Sequence, residues 1–227
     1  MGLVLVAGCS SRGVRHVTVS VHSLARLDAA VRAVSANRGF LLASVDAVQK
    51  GASSLDATDQ VCTTGEGVAA RTSHRVSLPL THQARVALTV LPRQVAAYRS
   101  SLVGLAAASP LVGGAARESL VNAVRDGQAE ATAVEAFRAQ AARVWPEYDH
   151  LDADEDTWIT RAVTPWYRTP QEGAAAYAVL VDDHRAALDA ARRSLGAAAE
   201  AVSGPSMAES VTLAAADKAL AGFRTQH

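Results

Sequence analysis

The chain has 227 residues, and its 22 Lys and Arg residues balance 22 Asp and Glu residues, which gives a formal net charge of zero. This length allows one domain with a substantial apolar core. A neutral chain has no electrostatic attraction to nucleic acid, so we expect no nucleic-acid partner. Much of the apolar content is alanine, the strongest helix former, which favours a helical protein.

The segment before the helices has a small-residue motif that ends in a cysteine. In Leu5-Val6-Ala7-Gly8-Cys9, small residues precede Cys9, and two serines follow it. The motif resembles the lipobox of bacterial lipoproteins, in which such a cysteine is lipidated and becomes the N-terminus. The resemblance implies that Cys9 carries a lipid anchor, that residues 1–16 are signal and tether, and that the protein lies on the extracytoplasmic face of the bacterial cell membrane.

This segment also departs from a full secretory signal. Only residues 3–7 precede Gly8 and no Lys or Arg comes before them, whereas a signal has a basic start and an apolar stretch of about 7–15 residues. The lipoprotein interpretation therefore requires a start codon upstream of Met1. The alternative is a buried strand fragment or a frayed terminus on a cytoplasmic protein.

The second cysteine, Cys62, falls in a predicted loop. If Cys9 is lipidated, Cys62 is a lone thiol. If the chain is exported without lipid, a disulfide between Cys9 and Cys62 is possible. Neither cysteine has metal-ligand spacing, and an ordinary, partly buried thiol is favoured for Cys62.

Apolar residues at alternating steps of three and four predict a first long helix over residues 17–48. Gly51 weakens this helix, and residues 57–79 are predicted to form a long connection with at most one short helix at 68–73. The second helix is expected to begin near Thr81, to be kinked by Pro92 and to stop at Pro110.

The third predicted helix follows Gly114, tolerates Gly127 at a cost of about 1 kcal/mol and ends at Trp145-Pro146. A short linking helix is expected over residues 154–163. The fourth helix begins with the capping box Thr169-Pro170-Gln171-Glu172. Ser203-Gly204-Pro205 is predicted to end it, and a second capping box at residues 206–209 to open a short C-terminal helix.

Together these elements predict an all-α fold. Four long amphipathic helices must bury their apolar stripes against one another, which favours an antiparallel four-helix bundle over residues 17–227 as a single domain. The short linking helix and the short C-terminal helix complete this prediction.

The segment from residue 145 to residue 177 is chemically unusual. It holds six of the ten aromatic residues of the chain, interleaved with acids. Aromatic faces beside carboxylates suit a small cationic ligand; the alternative is an aromatic cap that closes one end of the core. The candidate ligand-binding residues are Trp145, Tyr148, Asp152, Asp154, Asp156, Trp158, Trp166, Tyr167 and Tyr177.

Part of this segment, Asp152-Ala-Asp154-Glu-Asp156, resembles the first half of an EF-hand calcium loop. The match ends there, because Thr157 stands at the position of the turn glycine and Val163 at that of the closing glutamate. An acidic helix start is therefore favoured over a calcium loop.

Two polar residues, Arg38 and His184, occupy apolar seam positions. A buried arginine must be paired or lie near the end of the bundle, and a single seam histidine is more often a hydrogen-bonded core residue than a ligand. The histidines occur singly, without His-Glu-x-x-His or Glu-x-x-His pairs, so no metal site or cofactor is predicted.

No nucleophile motif or phosphate-binding loop is present, so we predict no enzyme activity. The preferred function is a membrane-tethered bundle that binds a partner protein or a small ligand without catalysis. The alternatives are a cytoplasmic protein that self-associates through one face of the bundle, and a metal or cation carrier that uses residues 145–177.

Overall fold

The computed structural model describes residues 21–163 and 169–224, and it confirms the all-α four-helix bundle. The long helices are α1 (Val21–Cys62), α2 (Gly67–Ala108) and α3 (Gly114–Val163). The fourth arm has two parts, α4 (Pro170–Val181) and α5 (Arg185–Arg224), joined by a 3₁₀ turn at Asp182–His184. Cys9, Trp166 and Tyr167 lie outside the described residues, as does the predicted start of the first helix at residues 17–20.

Contacts between the helices show that neighbouring arms run antiparallel. Asn37 of α1 donates to the Ala97 carbonyl of α2, whereas Thr58, later in α1, pairs with Ser73, earlier in α2. The same reversal relates α2 to α3 and α3 to α5, as in the contacts His74–Asp152, Tyr98–Glu130, Gln140–Ser194 and Asp154–His184.

Apolar side chains are buried in two clusters along the bundle. The main core runs through all the long helices and includes Leu41, Leu91, Leu120 and Leu195. A smaller apolar cluster lies at the end of the bundle where α1 ends and α4 begins, and it is formed by Cys62, Ala70, Trp158, Ile159, Tyr177 and Val181. Cys62 is therefore not in a loop: it is the last residue of α1 and its thiol is fully buried.

The predicted long connection at residues 57–79 is wrong, because α1 continues to Cys62 and α2 begins at Gly67. The periodicity was hidden because polar residues occupy the buried positions here, including Asp59 in α1 and His74 in α2. Gly51 does not weaken α1; a Cβ there would lie 2.5 Å from the Ala84 Cβ, so the glycine permits close packing of α1 on α2.

Two of the three helix ends predicted at prolines are wrong, whereas the third is confirmed, since α2 ends at Ala108, just before Ser109-Pro110. Pro146 lies inside α3 and Pro205 inside α5, while Pro79 and Pro92 both lie inside α2. None of the four prolines is buried, so water can solvate the carbonyl that each one leaves without a partner while the opposite face stays packed. The separate linking and C-terminal helices are thus wrong: both segments are continuous parts of α3 and α5.

The predicted start of the fourth arm is confirmed. The Thr169 hydroxyl accepts a hydrogen bond from the Glu172 backbone N–H at 3.2 Å, with Pro170 at the first helical position. The turn between α1 and α2 packs against this start, since a Cβ on Gly65, whose φ is +78°, would lie 1.7 Å from the Pro170 carbonyl oxygen. Glycine is required there both for its backbone conformation and for this approach.

Candidate metal centre

A layer of polar residues separates the main core from the smaller apolar cluster. Along α3, Leu151 belongs to the main core and Trp158 to the smaller cluster, with Asp152 and Glu155 between them. The other arms repeat this order, with Asp59 in α1, His74 in α2 and Arg185 in α5 at the same level. We call these residues the polar layer.

Three side chains of the polar layer form a potential ligand set. Asp152 and Glu155 are three residues apart on α3, so they project from the same side of that helix. His74 meets them from antiparallel α2, with its Nε2 3.3 Å from Asp152 Oδ1. One ligand atom of each residue lies within 4.8 Å of those of the other two.

Glu155 is the exceptional member of this set. Its side chain is fully buried, and neither carboxylate oxygen has a hydrogen-bond partner within the described part of the chain. Burial raises the pKa of Glu155 to about 10, and the negative charges of Asp59, Asp152 and Asp56 add to that effect. A buried polar group without a partner costs free energy, whereas a bound cation would satisfy both oxygens.

The neighbouring carboxylates are, by contrast, all paired. Asp59 accepts hydrogen bonds from the Tyr177 hydroxyl at 2.7 Å, from Arg185 at 2.9 Å and from Arg192 at 2.7 Å. Arg192 also holds Asp56 at 2.6 Å. Burial raises the pKa of Asp59, but the hydrogen bonds outweigh it and leave the pKa below its usual value. These contacts tie α1 to α4 and α5 and fix one wall of the polar layer.

Asp152 is paired on both sides. Its Oδ1 faces His74, while its Oδ2 accepts a 2.8 Å hydrogen bond from Arg85. Burial raises the pKa of Asp152, yet the hydrogen bonds from His74 and Arg85 outweigh it, so the pKa lies below its usual value. Asp152 is therefore ionised at neutral pH and is oriented toward His74.

A groove between α2 and α3 leads from the surface to this ligand set. It has a volume of about 420 Å³ and is lined on its inner side by His74 and Asp152 and at its mouth by Arg85, Asp149 and Asp156. Glu155 lies behind these residues in the interior. The groove therefore provides a route for a small cation to His74 and Asp152.

The aromatic residues predicted to line a ligand site are instead part of the apolar packing. Trp145 and Tyr148 stack with their ring centroids 5.5 Å apart in the main core. Trp158 and Tyr177 pack edge to face at 5.4 Å in the smaller cluster, where the Trp158 indole N–H donates to the Gly173 carbonyl. Trp158 and Tyr177 thus lie at one end of the bundle, as in the alternative of an aromatic cap, whereas Trp145 and Tyr148 lie in the main core and Tyr148 also lines a surface groove.

The acids of the same segment separate into different environments. Asp152 belongs to the ligand set, Asp154 Oδ2 lies 3.2 Å from His184 Nε2, and Asp156 is exposed at the groove. His184 is thus not in the core seam but in the 3₁₀ turn, partly exposed. All three acids lie on a continuous helix, which excludes an EF-hand loop at this position.

Arg38, the other polar seam residue, is paired as predicted. It binds Glu130 of α3 through Nε at 2.8 Å and Nη2 at 3.0 Å, and its Nη2 also donates to the Ser206 carbonyl at 2.7 Å. The Tyr98 hydroxyl lies 2.8 Å from Glu130 and 3.3 Å from Glu209 of α5. We call Arg38, Tyr98, Glu130 and Glu209 the Arg38 cluster; it joins all four arms within the length of the main core.

Two members of the ligand set, His74 and Glu155, were not among the predicted site residues. The spacing of Asp152 and Glu155 was visible in the sequence, but the linking helix was predicted to begin at residue 154, which left Asp152 outside it, whereas both lie on α3. The partner His74 comes from 78 residues away, and no local spacing reveals such a contact. Ligand pairs along a single segment are the pattern that a sequence reveals, and these three residues come from two helices.

Among the described helices, none combines the length and apolar character of a membrane-spanning segment. Comparison with protein-family models, with curated protein sequences and with solved structures gives no match to this chain.

Proposed function

We propose that the protein binds a divalent transition-metal cation, such as Zn²⁺ or Mn²⁺, through His74, Asp152 and Glu155, and that it does so without catalysis. The observation that carries this proposal is the fully buried Glu155 carboxyl group, which has no partner within the described residues. The proposal develops the metal-carrier alternative from the sequence, with a ligand set that the sequence did not predict.

The donor set favours a transition metal over calcium or magnesium. One imidazole nitrogen and two carboxylates are typical ligands of Zn²⁺, Mn²⁺ and Fe²⁺, whereas Ca²⁺ takes six to eight oxygen ligands. Ligand atoms about 2.1 Å from one ion lie roughly 3–4 Å apart. The present spacing of up to 4.8 Å therefore closes with small side-chain rotations. Glu155 would release its proton when the cation binds, and two carboxylates then balance a divalent charge.

We expect the purified protein, once stripped with a chelator, to bind one Zn²⁺ or Mn²⁺ per chain in a calorimetric or competition titration. Glu155→Gln keeps the size of the side chain but removes a charged ligand, so it should weaken binding by at least about 100-fold. Metal at 100 times its Kd should also stabilise the wild-type protein by about 2.7 kcal/mol.

Asp154→Asn is the matched control for this titration. It makes the same acid-to-amide substitution one residue away on the same helix, but Asp154 faces His184 rather than the ligand set. The Kd of this variant for the metal should lie within about threefold of the wild-type Kd. Absence of binding by the wild type, or equal loss in the two variants, would show that Glu155 is simply a buried neutral acid.

We further propose that the bundle is held at the extracytoplasmic face of the bacterial membrane by a lipid on Cys9. The support is the lipobox-like motif alone. Protein extracted from membranes should have an intact mass that corresponds to a chain beginning at a lipidated Cys9, and Cys9→Ser should abolish both cleavage and membrane retention. An unmodified chain that begins at Met1 would contradict the anchor and favour the cytoplasmic alternative.

A further inference from the structure

Arg85 spans the mouth of the groove that leads to the proposed metal site. From α2 its Nε donates to Asp149 Oδ1 at 2.8 Å, and its Nη2 donates to Asp152 Oδ2 at 2.8 Å. The guanidinium group thus binds, from the outside, the same carboxylate that faces His74 on the inside. A positive charge therefore already lies on one of the three proposed ligands.

From this arrangement, and resting on the proposed function, we propose that Arg85 is an exchangeable counter-ion of the metal site. It neutralises Asp152 when no cation is bound, and it must give up part of that interaction when a cation binds. Two like charges that share one carboxylate repel each other, so Arg85 weakens metal binding and makes it reversible. The site then suits uptake and release of a cation rather than a permanent structural metal.

The surroundings of Arg85 allow it to move, in contrast to those of Arg192. The side chain of Arg85 is 40% exposed and that of its second partner, Asp149, is 45% exposed, so a displaced guanidinium keeps contact with water and with Asp149. Arg192 is 24% exposed and bridges Asp56 and Asp59. Displacing Arg192 would break its contacts with Asp56 and Asp59 of α1, whereas Arg85 displaced from Asp152 keeps the exposed Asp149 of α3 as a partner.

Arg85 also stands on the route by which a cation would enter. The groove is lined by Arg85 together with His74, Asp149, Asp152 and Asp156. The three acids attract a cation to this face, while Arg85 offsets part of that attraction at the inner acid. Removal of its charge should therefore raise the rate of association as well as the affinity.

The experiment is a Zn²⁺ competition titration with stopped-flow association on the full chain. Arg85→Gln should bind Zn²⁺ at least about tenfold more tightly than the wild type and associate faster, with the gain reduced at high salt. Arg85→Lys keeps a positively charged side chain near Asp152, so its Kd for Zn²⁺ should stay within about threefold of the wild-type value. Arg138→Gln, which removes an arginine paired with Glu135 elsewhere on α3, should change neither quantity.

The outcomes separate this inference from the proposed function. If the wild type binds Zn²⁺ and Arg85→Gln binds it equally or more weakly, the counter-ion role is wrong and the metal site stands. If neither protein binds Zn²⁺ while both remain folded by circular dichroism, the metal site and the role of Arg85 fall together. Equal tightening by Arg85→Gln and Arg85→Lys would also overturn the role, because it would not depend on charge.

Discussion

Replacement of Glu130 with alanine should lower the free energy of unfolding by about 3 kcal/mol, because it leaves a mostly buried guanidinium without its counter-ion. Glu130 is fully buried, and its carboxylate accepts hydrogen bonds from Nε and Nη2 of Arg38 and from the Tyr98 hydroxyl. The loss of stability should lie near the lower end of the range for broken buried ion pairs, because the Arg38 side chain is 15% exposed and keeps the Ser206 carbonyl as an acceptor.

The measurement is urea unfolding followed by circular dichroism, with Glu118→Ala as the control. Glu118 is exposed on the same helix, so the control makes the same substitution without breaking a buried contact and should change stability by less than about 0.5 kcal/mol. Indistinguishable losses in the two variants would mean that the Arg38–Glu130 pair adds nothing beyond what a solvated surface residue contributes.

Arg38 also shows how far the sequence could define the interior. Its seam position predicts an arginine that is paired or lies near the end of the bundle, and the structure shows it paired. Its partner could not be predicted, because Glu130 is one of many acids on α3 and only tertiary packing brings it to α1. From the sequence, Gly127 is expected only to interrupt the third helix. A Cβ there would lie 2.6 Å from Leu102 Cδ2 and 3.0 Å from the Tyr98 hydroxyl, so the glycine makes room for the Arg38 cluster.

The number and type of helices could be predicted, but several of their ends could not. Apolar periodicity identifies a helix only while its buried positions are apolar. At the polar layer, Asp59 and His74 occupy such positions, and the pattern appears to break although the backbone continues. The helix ends predicted at Pro146 and Pro205 are wrong for another reason. A proline on the solvent side of a long helix removes one hydrogen bond without disturbing the packed face.

The same physics explains why the candidate site was only partly predicted. The sequence drew attention to the segment around Asp152, but it predicted a site in which aromatic faces and the carboxylates act together. Aromatic side chains gain most when they are buried, and the structure buries Trp158 and Tyr177. The acids of this segment differ in their partners on the other helices, and the order of residues along α3 does not reveal these partners.

The stability of the protein should fall with rising pH through the titration of Glu209. Burial raises the pKa of this side chain to about 7, the charge of Glu130 adds to the rise, and Arg38 opposes it. Because the folded state holds the proton more tightly than the unfolded chain, the contribution is fully present below the unfolded pKa of about 4.5 and is lost as pH rises to about 7. The loss should reach up to about 3 kcal/mol.

Glu209→Gln tests this directly, because glutamine keeps the size of the side chain but cannot ionise. Unfolding in urea at several pH values between 5 and 8 should show the variant gaining stability relative to the wild type, by up to about 3 kcal/mol at the upper end. Glu155 cannot produce this difference, since both proteins contain it. Glu200→Gln, on the exposed side of α5, should follow the wild-type profile.

The reason for this pH dependence is an imbalance of charge in the Arg38 cluster. Two fully buried carboxyl groups, Glu130 and Glu209, face a single guanidinium, and Arg38 binds Glu130. Glu209 is left with weak 3.3 Å contacts to the Tyr98 and Thr212 hydroxyls. Protonation of Glu209 therefore removes the excess negative charge at the smallest cost in free energy. A Glu209→Gln profile that runs parallel to the wild type would show that the two acids are already neutralised by other groups.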